Sequence, residues 1–62
     1  MKRHELVAYL RSQGCEILRE GSRHSWWQNQ ALNKRSAVPR HTETSNDLAR
    51  KICRDLGVSP IK

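Results

Sequence analysis

Gly14, Gly21 and Pro39 divide the middle of the chain into segments that are too short for ordinary helices. Because each segment lies between turn-forming residues, the pattern predicts three short strands. The polar residues at positions 29–33 supply a turn, so we expect the strands to follow one another as an antiparallel meander. The predicted strands cover residues 15–20, 24–28 and 35–38.

Apolar residues recur at helical spacing on both sides of this meander. Leu6, Val7 and Leu10 predict a first helix over residues 2–13, and a second helix is expected to end at Gly57. The apolar stripe of the second helix consists of Leu48, Ala49, Ile52, Cys53 and Leu56.

The order of the predicted elements is α-β-β-β-α, and the second helix begins at an N-cap that is either Thr44 or Ser45. Two helices with apolar stripes and a sheet with one apolar face pack most economically with both helices on the same face. The expected fold class is therefore α+β, with the topology of a double-stranded-RNA-binding domain. A chain of this length supports one small core, so we expect a single domain over residues 1–62.

The charge of the chain favours an anionic partner. Twelve Lys and Arg residues against six Asp and Glu residues give a formal net charge of +6 at pH 7, and nucleic acid is the partner that fits best. There is no apolar run of the ~18 residues that a membrane span needs, and Met-Lys-Arg continues into His4 and Glu5 instead of an apolar segment. We therefore expect a cytoplasmic protein with no membrane partner.

Cys15 and Cys53 are far apart in the sequence, and neither has a second cysteine or a histidine at metal-ligand spacing. Both lie in apolar patterns, so we expect two buried thiols in a reduced compartment. The sequence predicts no metal and no cofactor.

Trp26 and Trp27 are adjacent in the second predicted strand of a chain that has no Phe and one Tyr. Side chains alternate along a strand, so one tryptophan is expected in the core and the other on the open face. The first strand does not decide between them, because Cys15 and Ile17 compete with Leu18 for the buried side. Both tryptophans are therefore candidates for stacking on an RNA base.

His24 begins the second strand and His41 follows the third, and antiparallel pairing should bring these two positions near each other. Two imidazoles beside cationic groups could cleave RNA. One would take the proton of the 2′-OH, while the other, or a Lys or Arg, would support the phosphorane or the leaving oxygen. The alternative is that both are surface or structural histidines, as we expect for His4 in the first helix.

Basic residues surround the predicted meander and have few acidic neighbours beyond Glu20, so they are candidates for phosphate contact. Those of the second helix, Arg50 and Arg54, are expected to be solvated and to lie near Asp47 and Asp55. The candidates for RNA binding on the meander are Arg19, Arg23, Lys34, Arg35 and Arg40.

Three blocks of the chain resemble the HicA toxin family, also called YcfA-like, the mRNA interferases of HicA–HicB toxin–antitoxin pairs. GSRHSWW at residues 21–27 is similar to the family's Gly-x-x-His-x-x-Trp block. RSAVPRHTE at 35–43 and LARKICRDLGV at 48–58 resemble its third-strand exit and its C-terminal helix. The blocks occur in the family's order and spacing and cover nearly the whole chain.

The resemblance implies a double-stranded-RNA-binding-like fold, ribosome-independent cleavage of mRNA, and neutralisation by a HicB antitoxin that covers the active site. It also implies that His24 is the catalytic residue. Arg23 departs from the pattern at the first position of the usual His-His pair, and Thr44 stands where the family often has an apolar residue. The turn at Gly21 and Ser22 is expected to lead sharply into the second strand, with the Ser22 hydroxyl orienting His24 or capping the turn.

Two other functions fit the same residues. A non-catalytic RNA-binding module would use the basic strands and an exposed tryptophan without cutting the RNA. An adaptor would present the same surface to an acidic protein partner. Loss of RNA cleavage on substitution of His24 distinguishes the toxin from both.

Overall fold

The computed structural model describes residues 1–60, and their elements follow the predicted order α-β-β-β-α. The three strands form one antiparallel sheet in the order β1-β2-β3, with both helices on one face. The α+β class and the meander are therefore confirmed, with boundaries within about a residue of those predicted. The elements are α1 (Arg3–Ser12), β1 (Cys15–Glu20), β2 (His24–Asn29), β3 (Lys34–Pro39) and α2 (Asn46–Leu56).

The core lies between the helices and one face of the sheet, which we call the inner face. Trp27 and Val38 supply its large buried groups from the strands. Both thiols are buried and free, as predicted, and burial, with a smaller contribution from Cys53, raises the pKa of the Cys15 thiol. The helices and the start of β1 contribute the rest of the core: Leu6, Leu10, Cys15, Ala49, Ile52, Cys53 and Leu56.

The helix ends follow the expected chemistry. The hydroxyl of Ser45 accepts a hydrogen bond from the backbone N–H of Leu48 at 3.2 Å, so Ser45 and not Thr44 is the N-cap of α2. Gly57 ends α2 in the left-handed conformation, with φ of 72°. Asn29 secures the same end from the sheet, because its side-chain amide donates to the carbonyl of Leu56 at 2.8 Å.

Thr44 is 3% exposed, and its hydroxyl has no hydrogen-bond partner within residues 1–60. Its backbone is well held, since its N–H donates to the carbonyl of Met1 at 2.9 Å. A short bridge between Lys2 and Glu43 continues this pairing. The segment after β3 is therefore tied to the start of α1.

A β-bulge interrupts the pairing of β1 with β2. Ile17 pairs with Trp27 and Arg19 pairs with Trp26, which leaves Leu18 as an extra residue in β1. Strict alternation from Cys15 would have placed Arg19 on the inner face. The bulge instead turns Arg19 outward beside Trp26 and turns Glu20 inward beside Ser25, which explains why the alternation of this segment looks irregular.

Neither helix within residues 1–60 has the length and apolar character needed to cross a membrane.

Candidate active site

His24 and His41 line one shallow cavity of about 450 Å³ at the end of the sheet, together with Ser22, Arg23 and Arg40. The pairing of β2 with β3 creates it, because His24 lies opposite Pro39 and the N–H of Arg40 donates to the carbonyl of Arg23 at 3.1 Å. Both imidazoles are exposed. The antiparallel pairing thus brings the two histidines to the same surface depression, as the sequence predicted.

Gly21 is required at the entrance to β2 by a close approach of backbone atoms. Its N–H donates to the carbonyl oxygen of His24 at 2.8 Å, and a Cβ at position 21 would lie 2.7 Å from that oxygen. Any larger residue would have to displace the backbone of His24. Ser22 lines the cavity, and within residues 1–60 its hydroxyl makes no hydrogen bond that would orient His24 or cap the turn.

Arg40 braces the β1–β2 turn. Its guanidinium donates to the carbonyl of Gly21 at 2.8 Å, and its Nε lies 3.8 Å from a carboxylate oxygen of Glu20. Arg23 differs, since within residues 1–60 its exposed side chain makes no ion pair. Of the two cavity arginines, Arg23 is the one whose charge is not already engaged.

A buried polar network supports the cavity from behind. Ser25 is fully buried, and its hydroxyl donates to the Glu20 carboxylate in a short hydrogen bond. That hydroxyl also accepts from the Arg3 guanidinium at 2.9 Å, and Arg3 donates a second bond to the carbonyl of Pro39 at 2.8 Å. The network joins α1 to all three strands at the end of the sheet that carries His24.

The sequence analysis missed Arg3 and Ser25 as parts of the site. One signal was available, because Ser25 shares the inner face with Trp27 and a hydroxyl buried there needs partners. The identity of the partner was not readable, since Arg3 is distant in sequence and belongs to another element.

The remaining predicted residues fall into two groups. Arg19, Trp26 and Arg35, together with Leu18, line a second shallow depression of about 360 Å³ on the face of the sheet away from the helices, which we call the outer face. Trp26 is 44% exposed there. These three candidates therefore share one surface, separate from the depression that holds the histidines.

Trp27 and Lys34 lie elsewhere. Trp27 is 1% exposed, with the Arg11 guanidinium 5.0 Å from the centre of its ring, so its inclusion among the RNA-binding candidates is corrected: the ring is covered by the core. Lys34 lies opposite Asn29, and its side chain runs beside Gly57 on the helix side. It is not among the residues that line either depression.

The other sequence expectations concern surface residues. His4 is exposed on α1, as predicted. Arg50 pairs with Asp47 at 2.7 Å, and Lys51, in the place expected for Arg54, pairs with Asp55 at 2.9 Å. Within residues 1–60, no group of three or more histidine, cysteine or acidic side chains is arranged to hold a metal ion.

Comparison with known protein families gives a match over most of the chain. A family model described as the HicA toxin of bacterial toxin–antitoxin systems matches residues 3–58, which include both histidines of the cavity and all five elements in full. No curated protein and no solved structure matches the chain.

Proposed function

Because the chain belongs to the HicA toxin family of bacterial toxin–antitoxin systems, whose toxins are ribonucleases, we propose that it is an mRNA interferase that cleaves mRNA by acid/base catalysis at His24. Membership of the family supports two parts of this proposal, that the chain is a toxin and that it has an antitoxin partner. The mRNA substrate is proposed from the family resemblance and the positive charge of the chain, and the mechanism and residue roles are proposed from the geometry of the cavity.

The observation that supports the mechanism best is that His24 and His41 line the same cavity. They come from the start of one strand and the segment after the next, so the fold brings together two imidazoles that the sequence separates. Free imidazole exchanges protons near neutral pH, which suits it to act as a base and as an acid. The exposed Arg23 adds a cation at the same place.

Each group has a defined role in the cleavage. His24 takes the proton of a 2′-OH as that oxygen attacks the adjacent phosphorus. The bond from phosphorus to the 5′-oxygen breaks, and His41 gives that oxygen a proton as it leaves. Arg23 stabilises the negative charge that develops on the phosphorane. The products are a 2′,3′-cyclic phosphate and a 5′-hydroxyl, and the proton that His24 gains equals the one that His41 gives up.

Arg40 and the Arg3–Ser25–Glu20 network position the strand ends that carry the cavity residues. Because Arg40 already binds Gly21 and Glu20, we assign it to holding the turn that leads into His24. The buried network fixes β1, β2 and β3 relative to one another at this end. We infer that a HicB-type antitoxin inhibits the toxin by covering this cavity, with acidic groups facing its arginines.

The test is cleavage of a labelled single-stranded RNA in EDTA by the wild type and by His24→Ala, His41→Ala and His4→Ala. His4→Ala is the matched control, since it removes an exposed histidine that does not line the cavity. We expect loss of His24 to slow cleavage about 10²- to 10⁴-fold, the usual contribution of a general base. His4→Ala should cut at the wild-type rate, and a 2′-deoxy residue at the cut site should abolish cleavage.

A folded His24→Ala protein that cuts as fast as His4→Ala would contradict the mechanism. A folded wild type that binds the RNA and leaves it intact would favour the non-catalytic RNA-binding module. Circular dichroism of each variant distinguishes loss of activity from loss of folding.

A further inference from the structure

The outer face of the sheet presents an apolar surface that the fold leaves uncovered. Leu18 and Trp26 are each 44% exposed there, while the helices cover the opposite face. Large aromatic side chains are seldom left this open in a small domain with so few of them. Leu18 and Trp26 therefore form an exposed apolar patch, which is a candidate binding surface.

The β-bulge assembles cationic and apolar groups around this one indole. Leu18 and Arg19 both lie beside Trp26, because the extra residue turns two consecutive side chains to the same face. On the other side Trp26 pairs with Ala37, whose small side chain leaves the indole open. Arg35 is the diagonal neighbour on β3, within reach for a long side chain.

Cationic side chains lie on both sides of Trp26 along the outer face. Beyond Trp26 and away from the cavity, Gln28 donates a hydrogen bond to the Glu16 carboxylate at 2.9 Å. Arg35 lies opposite Gln28 and supplies a cation at this end of the face. In the other direction, His24 is the next residue of β2 on the same face, and Arg23 follows at the turn.

We propose that Trp26, with Leu18, Arg19 and Arg35 around it, is a base-stacking subsite for single-stranded RNA that holds the nucleotide next to the cleaved phosphate. This proposal rests on the proposed function, because it takes His24 as the reacting group. Trp26 supplies the stacking surface, and the two arginines bind the flanking phosphates.

The spacing along β2 supports the assignment to an adjacent nucleotide. His24 and Trp26 are two residues apart on one face of a strand, which separates their Cα atoms by about 7 Å. Successive nucleotides of an extended single strand are spaced comparably. Stacking tolerates every base, so the subsite contributes affinity and alignment and does not select a sequence.

The first experiment measures binding of a fluorescent, single-stranded 2′-O-methyl oligoribonucleotide, which lacks the nucleophile and is not cut. We expect Trp26→Ala to weaken binding roughly 5- to 150-fold, the range observed when a stacked base loses its aromatic partner. Trp26→Phe should restore most of the affinity. Leu32→Ala is the matched control, because Leu32 is an exposed apolar residue on the β2–β3 turn, and it should bind as the wild type does.

The second measurement is the salt dependence of the same binding. Arg19→Gln and Arg35→Gln should each reduce the slope of log K against log salt by about 0.7, the value for one lost phosphate contact on a single strand. Arg54→Gln removes an exposed arginine of α2 and should leave the slope unchanged.

Failure of this proposal and failure of the proposed function give different results. If Trp26→Ala binds the oligonucleotide as tightly as the wild type, the subsite is overturned, even where His24→Ala abolishes cleavage. If Trp26→Ala instead only disrupts self-association in sedimentation, the face serves a second copy of the chain and the subsite is again overturned. If His24→Ala still cleaves RNA while Trp26→Ala loses affinity for the oligonucleotide, base stacking on Trp26 is supported and the catalytic role of His24 is contradicted.

Discussion

The two faces of the sheet each carry one of the adjacent tryptophans, and they use the residue in different ways. Trp27 is 1% exposed against the helices, whereas Trp26 is 44% exposed beside two arginines. Composition cannot distinguish the two positions, since the residues are identical and consecutive in the chain. Their exposure differs because side chains alternate along a strand. The inner face packs in the core and stabilises the fold, whereas the outer face is available for a ligand. Substitutions on the two faces should therefore separate folding from RNA binding.

The largest expected effect is on the inner face. Trp27→Ala should lower the free energy of unfolding by about 3–5 kcal/mol, because it removes a large buried side chain and leaves a cavity. A domain of this size has a total of only roughly 3–9 kcal/mol, so we expect much of the variant to be unfolded. Urea denaturation followed by circular dichroism measures the loss. Trp26→Ala is the paired control, with an expected change within about 0.5 kcal/mol, and an equal loss in both variants would break the comparison.

The next effect tests whether the inner face also supports the active site. Ser25→Ala removes a buried hydroxyl that bonds to Arg3 and Glu20, so we expect a loss of about 1–3 kcal/mol in the free energy of unfolding. Cleavage should also slow under conditions in which the variant remains folded. Ser36→Ala is the control: this serine is buried on the same face, but its 3.5 Å contact to Asp55 is at the limit of a hydrogen bond. Equal losses from both serines would show that the Arg3–Ser25–Glu20 network has no special role.

A gain in stability is expected beside the inner face at Thr44. Its buried hydroxyl has no partner within residues 1–60, so Thr44→Val keeps the shape and removes an unsatisfied polar group. We expect the free energy of unfolding to rise by about 1 kcal/mol. The same measurement on Thr42→Val, which alters an exposed residue, should show no such gain. A destabilised Thr44→Val protein would mean that the hydroxyl is satisfied in solution.

The smallest expected effect concerns pH and the thiol of Cys15. Burial raises its pKa in the folded chain, so above the ordinary thiol pKa the unfolded chain loses a proton that the folded chain retains. The stability is thus fully present below that pKa and declines as pH rises through it. Urea titrations between neutral and alkaline pH should show a shallower decline for Cys15→Ala than for the wild type. Parallel curves would contradict the prediction.

The sequence predicted the elements well because their signals are local. Glycines and a proline divide the strands, and the helical spacing of Leu6 and Leu10 is direct. The pairing of His24 with the end of β3 follows from antiparallel geometry alone. These features require no knowledge of packing.

What the sequence did not predict depends on contacts across the fold. The bulge at Leu18 makes the apolar alternation of β1 irregular. The sequence therefore did not show which of the two tryptophans is buried. The hydrogen bond from Arg3 to Ser25 joins residues of two different elements, and no sequence spacing predicts it. Trp27 was grouped with the RNA-binding residues for the same reason, since aromaticity does not indicate which face of a strand a side chain occupies.

The bulge has a consequence for how this hairpin can change in length. β1 carries one residue more than β2 needs, and Leu18 is that residue. Deletion of Leu18 would restore one-to-one pairing and still leave Arg19 outside and Glu20 inside. Loss of one residue more would reverse the parity of the strand and turn the Glu20 carboxylate to the outer face. The bulge therefore lets β1 lose one residue without a change of faces, whereas a second deletion would replace the Arg19 cation on the outer face with the Glu20 carboxylate.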